Sequence, residues 1–346
     1  MNQLDALPQR RISEPFIQQV ESGILRPILD RLQHDDTISL EIRNGYVNVY
    51  YRGGNLLKLT ANSDATRFAA HFDWRYCGEE SGYRCWLPDR PPATIASAND
   101  AQAWVDALSH YKQAMDIRFL KHPKIEREYQ QAVVRDNNRH VSGDKSDYMI
   151  VDIEYAQSPA AFPDRNHSFR FDMVGLRWPV DGGSRGSGAV TPVIMEMKTG
   201  DAALASHPTG PEGKDLSPGL AKHVRDIEAF LAPDQGAPTS SPYELLRREL
   251  RSTFEIKQRL SLPSVPERMK GIEITEVTQK PEVLFIIANH QPKSRAFKNE
   301  LLRLPAREHA DYLVATVQWM GYALFAENMQ PLDEFIKEHG GEVTTE

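Results

Sequence analysis

Residues 191–200 read TPVIMEMKTG. As a β-strand, this stretch puts Val193, Met195 and Met197 on one face and Ile194, Glu196 and Lys198 on the other, because side chains alternate along a strand. An acid and an amine two residues apart then share a face with an isoleucine. A buried charge is costly unless it is paired or bound to a metal. What the chain brings to that face therefore decides how this strand is read.

Two strand-like runs precede it. SFRFDMVGLRWP (168–179) places Phe169, Phe171 and Met173 on one face and Arg170, Asp172, Val174 and Leu176 on the other. DYMIVDIEYA (147–156) lies upstream, with Asp152 and Glu154 on one face, which is read as exposed. VDGGSRGSGAV (180–190) links the second and third runs as a flexible glycine-rich hairpin loop. It lacks the Lys-Ser or Lys-Thr ending of a phosphate loop, and no helix starts there. Pairing through this hairpin brings Asp172 close to Glu196. Two carboxylates on adjacent strands make an oxygen-rich site suited to Mg²⁺ or Mn²⁺. The Met197 backbone carbonyl is a candidate further ligand, and Lys198 is placed to orient or deprotonate a water. A cation would supply the positive charge that two close carboxylates need.

Helical patterns flank the strands. In KIEREYQQAVV (124–134), Glu128 lies three residues after Ile125 and four before Ala132, on or near the buried face. Glu128 is preferred to Glu126 as a third carboxylate. In GLAKHVRDIEAFLA (219–232), His223 is three residues from Leu220 and four from Ile227, at the border of the core face, and reads as a core or supporting histidine. YELLRRELRSTFEIKQRL (243–260) and SRAFKNELLRL (294–304) also read as helices. PEVLFIIANH (281–290) is a near-continuous apolar run, expected as a strand buried on both faces. DYLVATVQWMGYALF (311–325) reads as strand from its β-branched and aromatic residues.

The order helix with Glu, strand, strand with Asp, strand with Glu-X-Lys, helix, strand resembles the PD-(D/E)XK nuclease superfamily. Asp172 in FRFDMVG, Glu196-Met197-Lys198 in VIMEMKTG and Glu128 upstream carry the resemblance, which covers residues 120–290. Phe171 stands where many members have proline. The helix at 219–232 lacks the Gln-X-X-X-Tyr pattern of one branch. The resemblance implies an α/β restriction-endonuclease-like αβββαβ core with a four-stranded mixed sheet. It implies catalysis by Asp172, Glu196, Lys198 and Glu128, with Asp172 and Glu196 as ligands of Mg²⁺ or Mn²⁺, beside which the Met197 carbonyl is the candidate further ligand. The implied activity is metal-dependent cleavage of nucleic acid, DNA rather than RNA, in defence against phage and other foreign DNA or in repair. The alternatives are a catalytically silent module of the same fold that binds nucleic acid or a partner protein, and a hydrolase acting on a small phosphorylated ligand. A homodimer and an activating partner protein are both compatible with the reading.

The N-terminal part is of another kind. PFIQQVESGILRPILDRL (15–32) has apolar residues at helical spacing. TISLEIRNG and YVNVYYRGG meet at Asn44-Gly45, a hairpin signal, and Gly53-Gly54 precedes NLLKLTAN. The expectation is an α+β helix-and-meander domain over 1–90, a linker and connecting helix over 91–118 with Ser97 as the helix cap, and the nuclease-like domain over 119–346.

The 346 residues carry 41 Lys and Arg against 48 Asp and Glu, a net charge of −7. A nucleic-acid partner thus needs a local basic patch rather than global attraction. Candidates are Arg247, Arg248, Arg251, Lys257 and Arg259 on one helix, and Lys293, Arg295, Lys298, Arg303 and Arg307 further on. No apolar run is long enough to span a bilayer and the N-terminus shows no apolar signal core, so a cytoplasmic protein without membrane contact is expected. Cys77 and Cys85 are then expected to be reduced.

Overall fold

The structure, a computed structural model, describes residues 10–77, 90–139, 145–157, 168–178, 188–209, 215–216, 218–233, 241–291, 294–317 and 329–340. The chain forms two compact units, one from Pro8–Asp144 with Arg251–Gly271, the other from Lys145–Leu250 with Ile272–Glu346. The division therefore falls neither at 90 nor at 118. Residues expected to form a linker and connecting helix instead complete the core of the first unit, and a later segment returns to it.

In the first unit, α1 (Glu14–Glu21) and α2 (Arg26–His34) replace the single helix expected over 15–32. Proline cannot donate a helical hydrogen bond and clashes with the preceding turn. Pro27 therefore falls in the first turn of a new helix. An antiparallel sheet follows in the order β1 (Ile38–Ile42), β2 (Tyr46–Tyr51), β3 (Gly54–Ala61), β4 (Phe68–His71), β5 (Thr94–Ile95). The Asn44-Gly45 hairpin forms as expected, with Gly45 at φ 77°. Then come α3 (Ala98–Lys121), capped by Ser97, which accepts from the Asp100 amide at 3.2 Å, and α4 (Ile125–Asn138). Trp104, Leu108, Tyr111, Met115 and Phe119 of α3 enter one core with the sheet, α1 and α2. Cys77 is disulfide-bonded rather than reduced, and Cys85 lies outside the described residues.

The second unit is built on β6 (Tyr148–Gln157), β7 (Phe169–Arg177) and β8 (Ala189–Thr199). After β8 come α5 (Asp201–Leu204), the short pair β9 (Pro208–Thr209) and β10 (Asp215–Leu216), α6 (Leu220–Leu231) and α7 (Pro242–Arg259), whose last turns belong to the first unit. β11 (Glu276–Val277), β12 (Glu282–Ala288), α8 (Arg295–Leu301), β13 (Asp311–Val317), β14 (Gln330–Pro331) and α9 (Leu332–His339) complete it. The sheet order is β14-β13-β12-β8-β7-β6, with β11 paired to β8. β6, β7 and β8 are antiparallel neighbours, whereas β12 runs parallel to both β8 and β13. A parallel neighbour requires a crossover connection, and α6 and α7 lie in the one between β8 and β12. All seven residues of β12 are buried, as the unbroken apolar run predicts. The loop at 179–187, Lys293 and the continuation of the last apolar run over 318–328 lie outside the described residues.

The chain is thus mixed α/β, its described residues forming a five-stranded antiparallel sheet, the two-stranded antiparallel pair β9–β10 and one mixed sheet. Among the described residues no helix is long and apolar enough to cross a membrane.

Candidate functional site

The quoted strand became β8, and residues 192–198 are all buried. Its position between β7 and β12 pairs the backbone on both edges, and its side chains point to the two faces of the sheet. Glu196 is 1% exposed and Lys198 5%. Their nearest charged atoms are 4.0 Å apart.

Register sets Asp172 beside them. Val174 pairs with Ile194 across β7 and β8. Two residues further along each strand, alternation puts Asp172 and Glu196 on that same face. The ladder between β7 and β8 ends at Met173 and Met195. Beyond it, β7 stays with β6 as far as Phe169 and Gln157, while β8 stays with β12 as far as Thr199 and Ala288. The two strands part at the acidic pair. The half-buried Asp172 carboxylate spans the opening, its Oδ2 accepting from the Met197 amide at 2.8 Å. The N–H and C=O of one strand residue point to the same side, so the Met197 carbonyl shares this edge.

α6 adds a residue whose partner spacing alone did not identify. His223 Nδ1 lies 3.3 Å from Glu196 Oε2. His223 Nε2 is buried with no hydrogen-bond partner among the described residues. Burial pushes the imidazole down to about 3, helped by the Lys198 and Lys222 ammonium groups. His223 is therefore neutral near pH 7. The only sequence signal was its place at the border of the core face on the helix after the Glu-X-Lys strand.

The other carboxylates sort differently. Glu128 lies on α4 in the first unit, where its Oε1 accepts from the Arg52 guanidinium at 2.6 Å. Helical spacing places a residue on a face without saying what that face meets. Asp152, expected on an exposed face, is 2% exposed and pairs in register with Val174. Glu154 adopts a left-handed backbone with φ 53°, uncommon for a residue other than glycine.

Asp172, Glu196 and the Met197 carbonyl offer oxygen only, the donor type that hard divalent cations take. Among the described residues no group of three or more His, Cys, Asp and Glu side chains is arranged to hold a metal ion. A cation here would complete its shell from backbone, water and substrate, as Mg²⁺ commonly does.

Much of the basic character expected for nucleic-acid contact is engaged internally. Lys257 is buried against Glu41 at 2.8 Å. Arg259 bridges Glu14 and Glu21, Arg247 pairs with Glu244, and Arg307 pairs with Asp333. Arg295, Lys298 and Arg303 on and after α8 make no ion pair among the described residues; Arg295 and Arg303 are exposed and Lys298 is half-buried. Compared with known proteins, the chain matches no family model, no curated protein and no solved structure.

Proposed function

We propose that the second unit is a nuclease of the PD-(D/E)XK type, hydrolysing DNA with the help of a divalent cation. The observation that carries the reading is the meeting of Asp172, Glu196 and Lys198 where β7 and β8 part. The sheet supports it: three antiparallel strands, then a helical crossover to a parallel fourth, is the arrangement a restriction-endonuclease-like core requires.

Asp172 and Glu196 would hold Mg²⁺ or Mn²⁺, with the Met197 carbonyl beside them. When bound, such an ion lowers the pKa of water and offsets phosphate charge. Lys198 brings an ammonium group to the same face, where it would orient the attacking water and stabilise charge on the phosphate. Hydrolysis forms a bond from the water oxygen to phosphorus and breaks the bond to the leaving sugar oxygen, which ends with a proton. Strand placement keeps these groups in fixed geometry. The exposed cations Arg295 and Arg303 are candidates for phosphate contact, which positions nucleic acid without reading its sequence.

The test is a cleavage assay on supercoiled plasmid, linear duplex, single-stranded DNA and RNA, with Mg²⁺, Mn²⁺ or EDTA. Cutting is expected with metal, to stop in EDTA, and to fall at least about 100-fold in Lys198→Ala, the scale of a lost acid–base or charge-stabilising group. Cleavage of equal rate in Lys198→Ala would overturn the reading.

One observation favours a second reading, a module of this fold that binds without cutting. Glu128, the third carboxylate the family pattern calls for, is held by Arg52 in the first unit. Binding of nucleic acid unchanged by Asp172→Ala, with no cleavage under any metal, would support it.

A further inference from the structure

We propose that His223 is the positioning residue of Glu196, its Nδ1–H holding the Glu196 carboxylate in place for a divalent cation. The inference rests on the metal-dependent reading of the site. Three observations lead to it.

The first is the 3.3 Å approach of Nδ1 to Glu196 Oε2. A ring nitrogen facing a carboxylate at this distance must carry the proton, because two lone pairs would repel. Nδ1 therefore carries the proton that points at Glu196.

The second concerns where the imidazole is mounted. His223 is in the first turn of α6, and that turn is tied down from α8. The Glu300 carboxylate, 1% exposed, accepts from the Ala221 amide at 2.8 Å and from the Ser206 hydroxyl at 2.5 Å. Gly219, just before the helix, packs so closely on Ser206 that a Cβ would lie 2.4 Å from its amide nitrogen. The histidine is thus held by a fixed helix start rather than by a loop.

The third is what an imidazole N–H adds beside a carboxylate, direction as well as partial charge. Lys198 is 4.0 Å from Glu196, too far for a hydrogen bond, and contributes charge rather than direction. Partners that orient a ligating carboxylate are worth about 10–100-fold in metal affinity.

The experiment uses the full chain and Mn²⁺ as the probe. Mn²⁺ binding is measured by calorimetry or electron paramagnetic resonance for wild type, His223→Ala and His223→Asn. His223→Ala is expected to weaken Mn²⁺ binding by about 10–100-fold. His223→Asn, whose amide nitrogen donates from near the Nδ1 position, is expected to recover most of that loss, which a purely structural role would not give. In the metal-free protein, the ¹⁵N spectrum of His223 is expected to show the Nδ1–H tautomer.

Equal Mn²⁺ affinity in wild type and His223→Ala, with metal-dependent cleavage intact, would overturn the inference and leave the nuclease reading standing. An Nε2–H tautomer would overturn the inference alone as well. A wild-type chain that binds no Mn²⁺ would take down both.

Discussion

Asp35 is 8% exposed, yet it remains a carboxylate. Burial works against its charge, but Lys112 and Thr37 donate to it and outweigh that cost, holding it down at about 2. Arg31 adds a contact at 2.7 Å. One pKa unit corresponds to about 1.4 kcal/mol, so the depression from the ordinary value contributes about 2 kcal/mol of stability near neutral pH. The folded value lies below the unfolded one, so on acidification the unfolded chain takes up the proton first. The contribution is complete above about pH 4 and is lost as pH falls through about 2. Asp35→Asn is expected to cost about 2 kcal/mol at pH 7. Its difference from wild type in urea unfolding should shrink between pH 4 and pH 2; a difference constant across that range would refute this. The same comparison of burial with partners explains which site residues were readable. Asp172, Glu196 and Lys198 follow from alternation and one hairpin. Glu128 and His223 depend on what their helices face, and no spacing along a helix encodes that.

At the level of elements, the opening between β7 and β8 depends on how β7 is seated against β6. Gly175 pairs with Ile150, beside the register shift between Ile150 and Asp152. A Cβ there would lie 2.4 Å from the Met149 carbonyl oxygen, a backbone atom that cannot swing away. Gly175→Ala must therefore push β6 and β7 apart. The expected cost is about 1–3 kcal/mol, the usual scale of overpacking. Three residues away, the Asp172 contact to Met197 should loosen with it. Thermal unfolding and Mn²⁺ affinity should both fall; an unchanged melting temperature would show that the strands accommodate a methyl group. The strands themselves were readable because alternation and the buried run of β12 are local signals. The register shift in β6 was not, since a bulge changes pairing without changing composition. The break between α1 and α2 had a visible cause in Pro27, but the apolar spacing of Phe16 to Leu29 masked it.

Over the whole molecule, the order of the chain and the order of its units differ. Composition marks domains as consecutive blocks, and nothing local signals that residues 251–271 return to the unit begun at Pro8. The return is a matter of core and charge within that unit. Ile256, Leu260 and Leu262 enter its hydrophobic core. Lys257 and Glu41, each 1% exposed, form a pair at 2.8 Å. Burying three aliphatic side chains is worth about 2 kcal/mol apiece. Removing one partner of a buried ion pair costs about 3–5 kcal/mol. Their loss is comparable to the entire stability of a typical domain, about 5–15 kcal/mol. A chain cut after Asp144 is therefore expected to lack a fixed fold. It should bind a hydrophobic dye and be digested rapidly by protease, although every strand of its sheet and both long helices are present. A fragment joining 8–144 to 251–271 through a flexible linker should regain protection. Glu41→Gln in that joined fragment should weaken it again, whereas replacing Glu41 and Lys257 together by apolar residues of similar size should cost little. A stable, protease-resistant 8–144 fragment would show that the returning segment is an accessory to this unit and not part of what holds it together.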